Sequence, residues 1–210
     1  MINFNECTLF SLDKQFNLES CETLPALQSW LNEQMEISES DRAILEKFRY
    51  PLKQYVHDWN EVELLQRFIG PIFSLIDFSS RRYNLFAGRS LKGTVEGIEL
   101  GGQPDGLIAS GFRKPEKPYF CFQEYKKEKD AEGDPAGQVL AAMLVAQEIN
   151  EHKHPIYGCY VRGALWYFLL LQGKQYAISD GYLATRDDLF DIFRILHGVK
   201  QIVLRSIEGG

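Results

Sequence analysis

Asp105, Glu124 and Lys126 are the residues whose types and spacing could do chemistry together. Two carboxylates and an amine on one sheet face can hold a divalent cation beside a reacting phosphate. In a strand, Glu124 and Lys126 project from the same face about 7 Å apart. Residues 100–110 and 118–126 read as the arms of an antiparallel hairpin. The midpoint of Asp105 and Glu124 falls between Lys114 and Pro115, the centre of a polar loop over 111–118. A symmetric register therefore sets Asp105 across from Glu124. Facing carboxylates repel, and burial raises their pKa values unless a cation is present. Mg2+ or Mn2+ would relieve both effects, with Lys126 placed to hold an attacking water and to stabilise charge building on phosphorus. The competing reading is a surface aspartate beside a Glu124–Lys126 ion pair worth ~0–1 kcal/mol.

The elements around these residues follow from periodicity. Residues 95–109 read as one long strand, bent or bulged at its glycines, and 119–125 as an aromatic central strand. Asn60-Glu61-Val62-Glu63 is a capping box that opens a helix with Val62, Leu65, Phe68 and Ile69 as its expected buried stripe, kinked or ended at Gly70-Pro71. Short strands are expected over 81–100, with Arg81, Arg82 and Arg89 nearby. A helix over 135–150 carries Val139, Leu140, Met143 and Ala146 at helical spacing, and Ala141 and Ala142 allow close approach to a sheet. Strands follow at 156–161, 164–171 and 175–179. Thr185 then caps a closing helix that buries Leu189, Ile192, Phe193 and Leu196.

Residues 1–58 read as a mostly helical extension packed on a main domain at 59–210. Within it, 8–18 has weak strand character, with Phe10, Leu12, Phe16 and Leu18 sharing one parity. Thr23 caps a first helix with Pro25 in its first turn, and Ser38 with Asp41 opens a second that Pro51 interrupts. The fold class expected is mixed α/β: a central sheet flanked by helices, with a helical amino-terminal extension.

Composition and charge narrow the function classes. A chain of 210 residues with 45% hydrophobic and 13% aromatic content has material for a true core, so disorder is excluded. Cys7, Cys21, Cys121 and Cys159 form no CxxC pair and read as reduced, packed thiols, which argues against zinc. There is no 18-residue apolar run and no basic-then-apolar start, so no membrane span or signal peptide is expected and the location expected is cytoplasmic. The net charge of −6 is concentrated in residues 1–41, which hold eight acids and one base. The rest of the chain is near neutral, and residues 113–129 hold six bases against three acids. His152 and His154 form an HxH in a charged loop, which reads as a solvated turn.

Pro104-Asp105, followed by Glu124-Tyr125-Lys126, resembles the motif of the PD-(D/E)XK nuclease superfamily, whose members have a restriction endonuclease-like core. The helix from Asn60-Glu61 to Phe68-Ile69-Gly70-Pro71 resembles that superfamily's first motif, in a form similar to type I restriction nuclease domains. Residues 59–203, including GDPAGQVLAAMLVAQE and PIYGCYVRGALWYF, are similar to an uncharacterised bacterial group within it. The resemblance implies Asp105, Glu124 and the Tyr125 backbone carbonyl as metal ligands, Lys126 as the catalytic lysine and Glu61 as the helical acid. It also implies a polar role for Gln138, expected on the exposed side of its helix.

The function expected is Mg2+-dependent hydrolysis of DNA phosphodiester bonds. Arg113, Lys114, Lys117, Lys127 and Lys129 would then meet backbone phosphates without reading sequence. The alternative is a catalytically silent module of the same fold that binds nucleic acid or a protein partner. A homodimer is compatible with either. Glycoside hydrolysis by the carboxylate pair leaves Lys126 without a role.

Overall fold

Residues 136–147 are buried without interruption, and a helix that is apolar on every side must be enclosed on every side. The computed structural model, which describes residues 1–129 and 133–208, shows how. The first elements are β1 (Ile2–Asn3), α1 (Leu9–Phe16), β2 (Glu19–Cys21), α2 (Pro25–Leu31), α3 (Glu39–Tyr55), α4 (Glu61–Leu64) and α5 (Gly70–Ile76). Then come β3 (Tyr83–Ala87), β4 (Leu91–Val95), β5 (Ile98–Gly102), β6 (Gly106–Ser110) and β7 (Glu116–Lys126). The chain closes with α6 (Pro135–Ile149), β8 (Ile156–Arg162), β9 (Leu165–Gln172), β10 (Gln175–Ile178), β11 (Tyr182–Leu183) and α7 (Asp188–Glu208).

The architecture is mixed α/β, built on two sheets. An eight-stranded sheet runs β2-β10-β9-β8-β7-β6-β3, with β11 beside β9. A three-stranded sheet runs β1-β5-β4. Helix α6 lies between them: its Val139, Leu140 and Met143 share a core with Leu91, Val95 and Leu100 of the small sheet and Leu107, Phe122 and Leu169 of the large one. The opposite face of the large sheet carries α2, α3, α5 and α7 in a second core around Trp30, Phe68, Trp166 and Leu196. Trp30 fixes α2 by donating its indole N–H to the Ile195 carbonyl at 2.8 Å, while its ring meets Tyr157 and Phe168 edge-on.

Several local expectations are corrected. The 8–18 stretch is not a strand. Thr8 caps α1 with Ser11, and Leu12 and Phe16, four apart, are the buried face, whereas Phe10 is 70% exposed. The cap of α2 is Leu24, one residue past Thr23, and Leu24 makes no side-chain cap bond. Ser38 does cap α3 by accepting the Asp41 N–H, but Pro51 sits inside that helix, which continues to Tyr55. Thr185 does not cap α7, which begins at Asp188. The capping box of Asn60 and Glu63 is present, yet Leu64, Phe68 and Ile69 are the buried positions, while Val62 and Leu65 are exposed. The reason is a π-turn over Leu65–Ile69, in which the Gly70 N–H reaches back to the Leu65 carbonyl and shifts the buried face by one position.

The segment before residue 59 does more than lie against the domain. β1 pairs in parallel with β5, and β2 pairs in parallel with β10, so it edges both sheets. Asp134 fastens α1 to α6: it accepts the Leu9 N–H at 2.8 Å and also the Gly137 N–H that it caps. At Gly137 the two pieces are so close that an added Cβ would stand 2.6 Å from the Cys7 carbonyl oxygen and from the Thr8 Cα.

Alanine at a free helical position would gain ~0.5–1 kcal/mol over glycine. At position 137 it must displace backbone, so Gly137→Ala is expected to lower stability by about 1–2 kcal/mol in urea titration. A gain would mean that residues 1–16 do not dock as described.

Candidate active site

The expected long strand over 95–109 is two strands in two sheets. β5 ends at Gly102, the chain crosses from the small sheet to the large one through Gln103, Pro104 and Asp105, and β6 begins at Gly106. Beyond that corner the hairpin register is the symmetric one: Gly106 pairs with Gln123, Leu107 with Phe122 and Ile108 with Cys121. Bulges occur only farther on, at Ala109 and Ser110. Extending the ladder one pair past Gly106 sets Asp105 against Glu124, and one more sets Pro104 against Tyr125.

Pro104 has no N–H to offer the Tyr125 carbonyl. The Tyr125 N–H, which would have bonded across, goes instead to the Asp105 carboxylate at 2.7 Å. In a strand the N–H and C=O of one residue point to the same side, so the Tyr125 carbonyl faces the edge where Asp105 sits. The ladder ends in a corner walled by a carboxylate and a backbone carbonyl.

Glu124 and Lys126 lie on the α6 side of β7, close to the end of the strand. Glu124 is only 6% exposed, and its Oε1 accepts from Lys126 Nζ at 3.0 Å. Burial first, then the charge of Asp105, push the Glu124 carboxyl up from 4.5 to about 7 despite that ion pair. Asp105 is also raised, by burial above all, with Glu61 adding to it and the Tyr125 N–H and Lys126 opposing. Burial alone would lower the Lys126 pKa, but the hydrogen bond and charge of Glu124 outweigh it and the net shift is upward. These are the signs of two anions and one cation crowded in a partly dry corner.

Glu61 opens α4, and its charge contributes to the upward shifts of both Asp105 and Glu124. It is nonetheless exposed. Among the described residues, no three His, Cys, Asp or Glu side chains come close enough to hold a metal ion together. A helix-opening position on the surface leaves Glu61 facing water. The oxygens that could hold a cation are those of Asp105, Glu124 and the Tyr125 carbonyl, all hard donors suited to Mg2+ or Mn2+.

Gln138 is not on an exposed face. It is 4% exposed because the small sheet covers the side of α6 that would otherwise meet solvent, and its Oε1 has no partner among the described residues. The basic candidates separate into two groups. Lys127 and Lys129 directly follow the ExK strand. Arg113, Lys114 and Lys117 lie at the other end of β7, about 30 Å away at strand rise, and Lys117 is paired with Glu151 at 2.9 Å. Of the histidines, His152 bonds Glu148 and His154 stacks on Phe120, so they share no ligand. All four cysteines are free, and three of them are buried.

On the other face of β7, Gln123 is fully buried, and its Oε1 accepts a hydrogen bond from the Tyr125 hydroxyl. Gly106 lies beneath it, where any Cβ would collide with the Gln123 amide oxygen. A glutamine directly after the apolar run Tyr119-Phe120-Cys121-Phe122 was the available signal.

No protein-family model matches the sequence, and no curated protein matches it. Among the described residues, no helix is long and apolar enough to cross a membrane.

Because folded Glu124 keeps a proton that the unfolded chain releases, its contribution to stability is present below about pH 4.5 and is lost as pH rises through about 7. The loss is on the order of 3 kcal/mol for such a shift. Urea midpoints in chelator at pH 5 and pH 8 should therefore fall more for the wild type than for Glu124→Gln. Equal falls would mean that Glu124 titrates normally.

Proposed function

We propose that this protein is a Mg2+-dependent nuclease with a restriction endonuclease-like core, hydrolysing phosphodiester bonds in DNA. The observation that carries this reading is the corner where Asp105, Glu124 and Lys126 meet beside the Tyr125 carbonyl, with both carboxyls raised by burial. A buried carboxyl beside a half-buried one weakens a fold unless the two serve to bind something positive. When bound, Mg2+ or Mn2+ would polarise the phosphate and acidify a water.

The chain's own residues would divide the remaining work. Asp105 and Glu124 would supply carboxylate oxygens from two adjacent strands, held in place by the ladder. Lys126 would orient the attacking water and offset negative charge on the phosphoryl oxygens. Lys127 and Lys129 would meet the nearest phosphates, with Arg113 and Lys114 reaching only a distant part of a long duplex. Binding would be salt-sensitive and weakly sequence-selective.

The alternative of a catalytically silent module that binds nucleic acid or a protein partner is favoured by one observation. Among the described residues, no third His, Cys, Asp or Glu side chain completes a metal-holding group with the pair. The acidic start of the chain suits a protein partner or a second copy.

Two measurements separate the readings. Wild-type protein with Mn2+ or Mg2+ should cleave plasmid or single-stranded DNA, with Lys126→Ala reducing the rate at least 100-fold. Calorimetric titration with Mn2+ should show binding that Asp105→Ala abolishes. Binding without cleavage under any divalent metal would favour the silent module, and absence of both would remove the metal site.

A further inference from the structure

Strand parity sends Gln123 and Tyr125 to the face opposite Glu124 and Lys126. There they form the floor of a groove of about 400 Å³ between α5, β3 and the start of β6. That volume lies within the ~300–1,000 Å³ typical of small-ligand sites. Phe73, Phe78 and Leu85 wall it with apolar surface, and Ser74 and Asp77 stand at its exposed rim. Asp105 also lines it, at the corner shared with the carboxylate pair. The groove thus reaches around the end of β6 from the candidate reaction centre.

The floor carries the decisive detail. Gln123 is 0% exposed, and its Nε2 has no hydrogen-bond partner among the described residues. The Tyr125 hydroxyl meets the oxygen end of the amide, and the NH2 end is the unmet one. A buried amide donor left unpaired costs ~1–3 kcal/mol. A ligand that accepts from it would recover that cost. The apolar walls and the donor at the floor suit a ligand that is apolar on its faces and carries an acceptor on its edge, and Asp105 lines the end of the groove where such a ligand would meet the carboxylate corner.

We propose that this groove receives one unpaired nucleobase of a single strand whose neighbouring phosphate lies at Asp105, Glu124 and Lys126. The proposal rests on the nuclease reading for the phosphate, but the base site itself stands on the groove and on Gln123. The base would lie between the aromatic and aliphatic walls and accept from the Gln123 amide at its edge. A duplex, with its bases stacked and paired, could not enter without extruding one. The structure therefore assigns the protein a preference for single-stranded or locally opened substrate.

The test is equilibrium binding of a dye-labelled 12-nucleotide single strand and of a blunt duplex, in Ca2+, to wild type, Gln123→Met and Ser74→Trp. Gln123→Met removes the donor at similar volume. Ser74→Trp fills the groove from an exposed helix position, so it keeps the test intact if the buried variant fails to fold. Both variants are expected to lose about tenfold in single-strand affinity, and duplex binding should be unchanged. An abasic residue in the strand should cost wild type the same factor and cost Ser74→Trp nothing further. Wild-type affinity for the single strand in both variants would overturn the base site, even if the protein cleaves DNA. The expected losses in a protein that never cleaves would sink the nuclease reading and leave the base site standing.

Discussion

At the start of β6 the ladder with β7 runs into a proline, and a side chain takes over the pairing. Pro104 has no N–H for the Tyr125 carbonyl, and the Asp105 carboxylate turns in and accepts the Tyr125 N–H at 2.7 Å. That one bond fixes a charged group at the end of a buried strand. It also places the acid across from Glu124 and leaves the Tyr125 carbonyl facing the same corner. Every functional distance in the site depends on this register holding. A slip of one residue would send Glu124 and Lys126 to the other face of the sheet.

The corner is electrostatically uneasy. Glu124 is buried on the α6 side of β7, with Lys126 as its ion-pair partner at 3.0 Å and Asp105 as a like-charged neighbour. One ammonium cannot offset two desolvated carboxylates, so both acids are displaced toward the neutral form. Sites that perturb their acids in this way while keeping hard oxygen donors together are suited to a divalent cation. The surrounding packing provides the rigidity: α6 is locked between two sheets, and β7 is central in the larger one.

Strand β7 serves two surfaces by alternation. Glu124 and Lys126 face α6, while Gln123 and Tyr125 face α5 and the groove. Gly106 makes this possible from the neighbouring strand, because only a residue without Cβ clears the Gln123 amide. A charged corner and an apolar groove therefore meet at Asp105.

Much of this was legible in the sequence because it is local. The Asn60–Glu63 capping box, the helix from Pro135, the aromatic strand and the symmetric register of Asp105 with Glu124 all follow from spacing and turn composition. The failures share a cause, which is partners distant in the chain. Residues 95–109 looked like one strand because periodicity cannot show that the chain changes sheets at Pro104. Gln138 looked exposed because nothing near it in sequence reveals that β4 and β5 cover α6. Leu64 replaced Val62 and Leu65 in the core through a π-turn that no apolar pattern announces. Local chemistry set which acids and lysine could act together, whereas only tertiary packing decided how deeply they are buried and that Glu61 stays in water. It alone also revealed that the reverse face of the same strand holds an unpaired amide, since burial depends on what the rest of the chain brings to cover it.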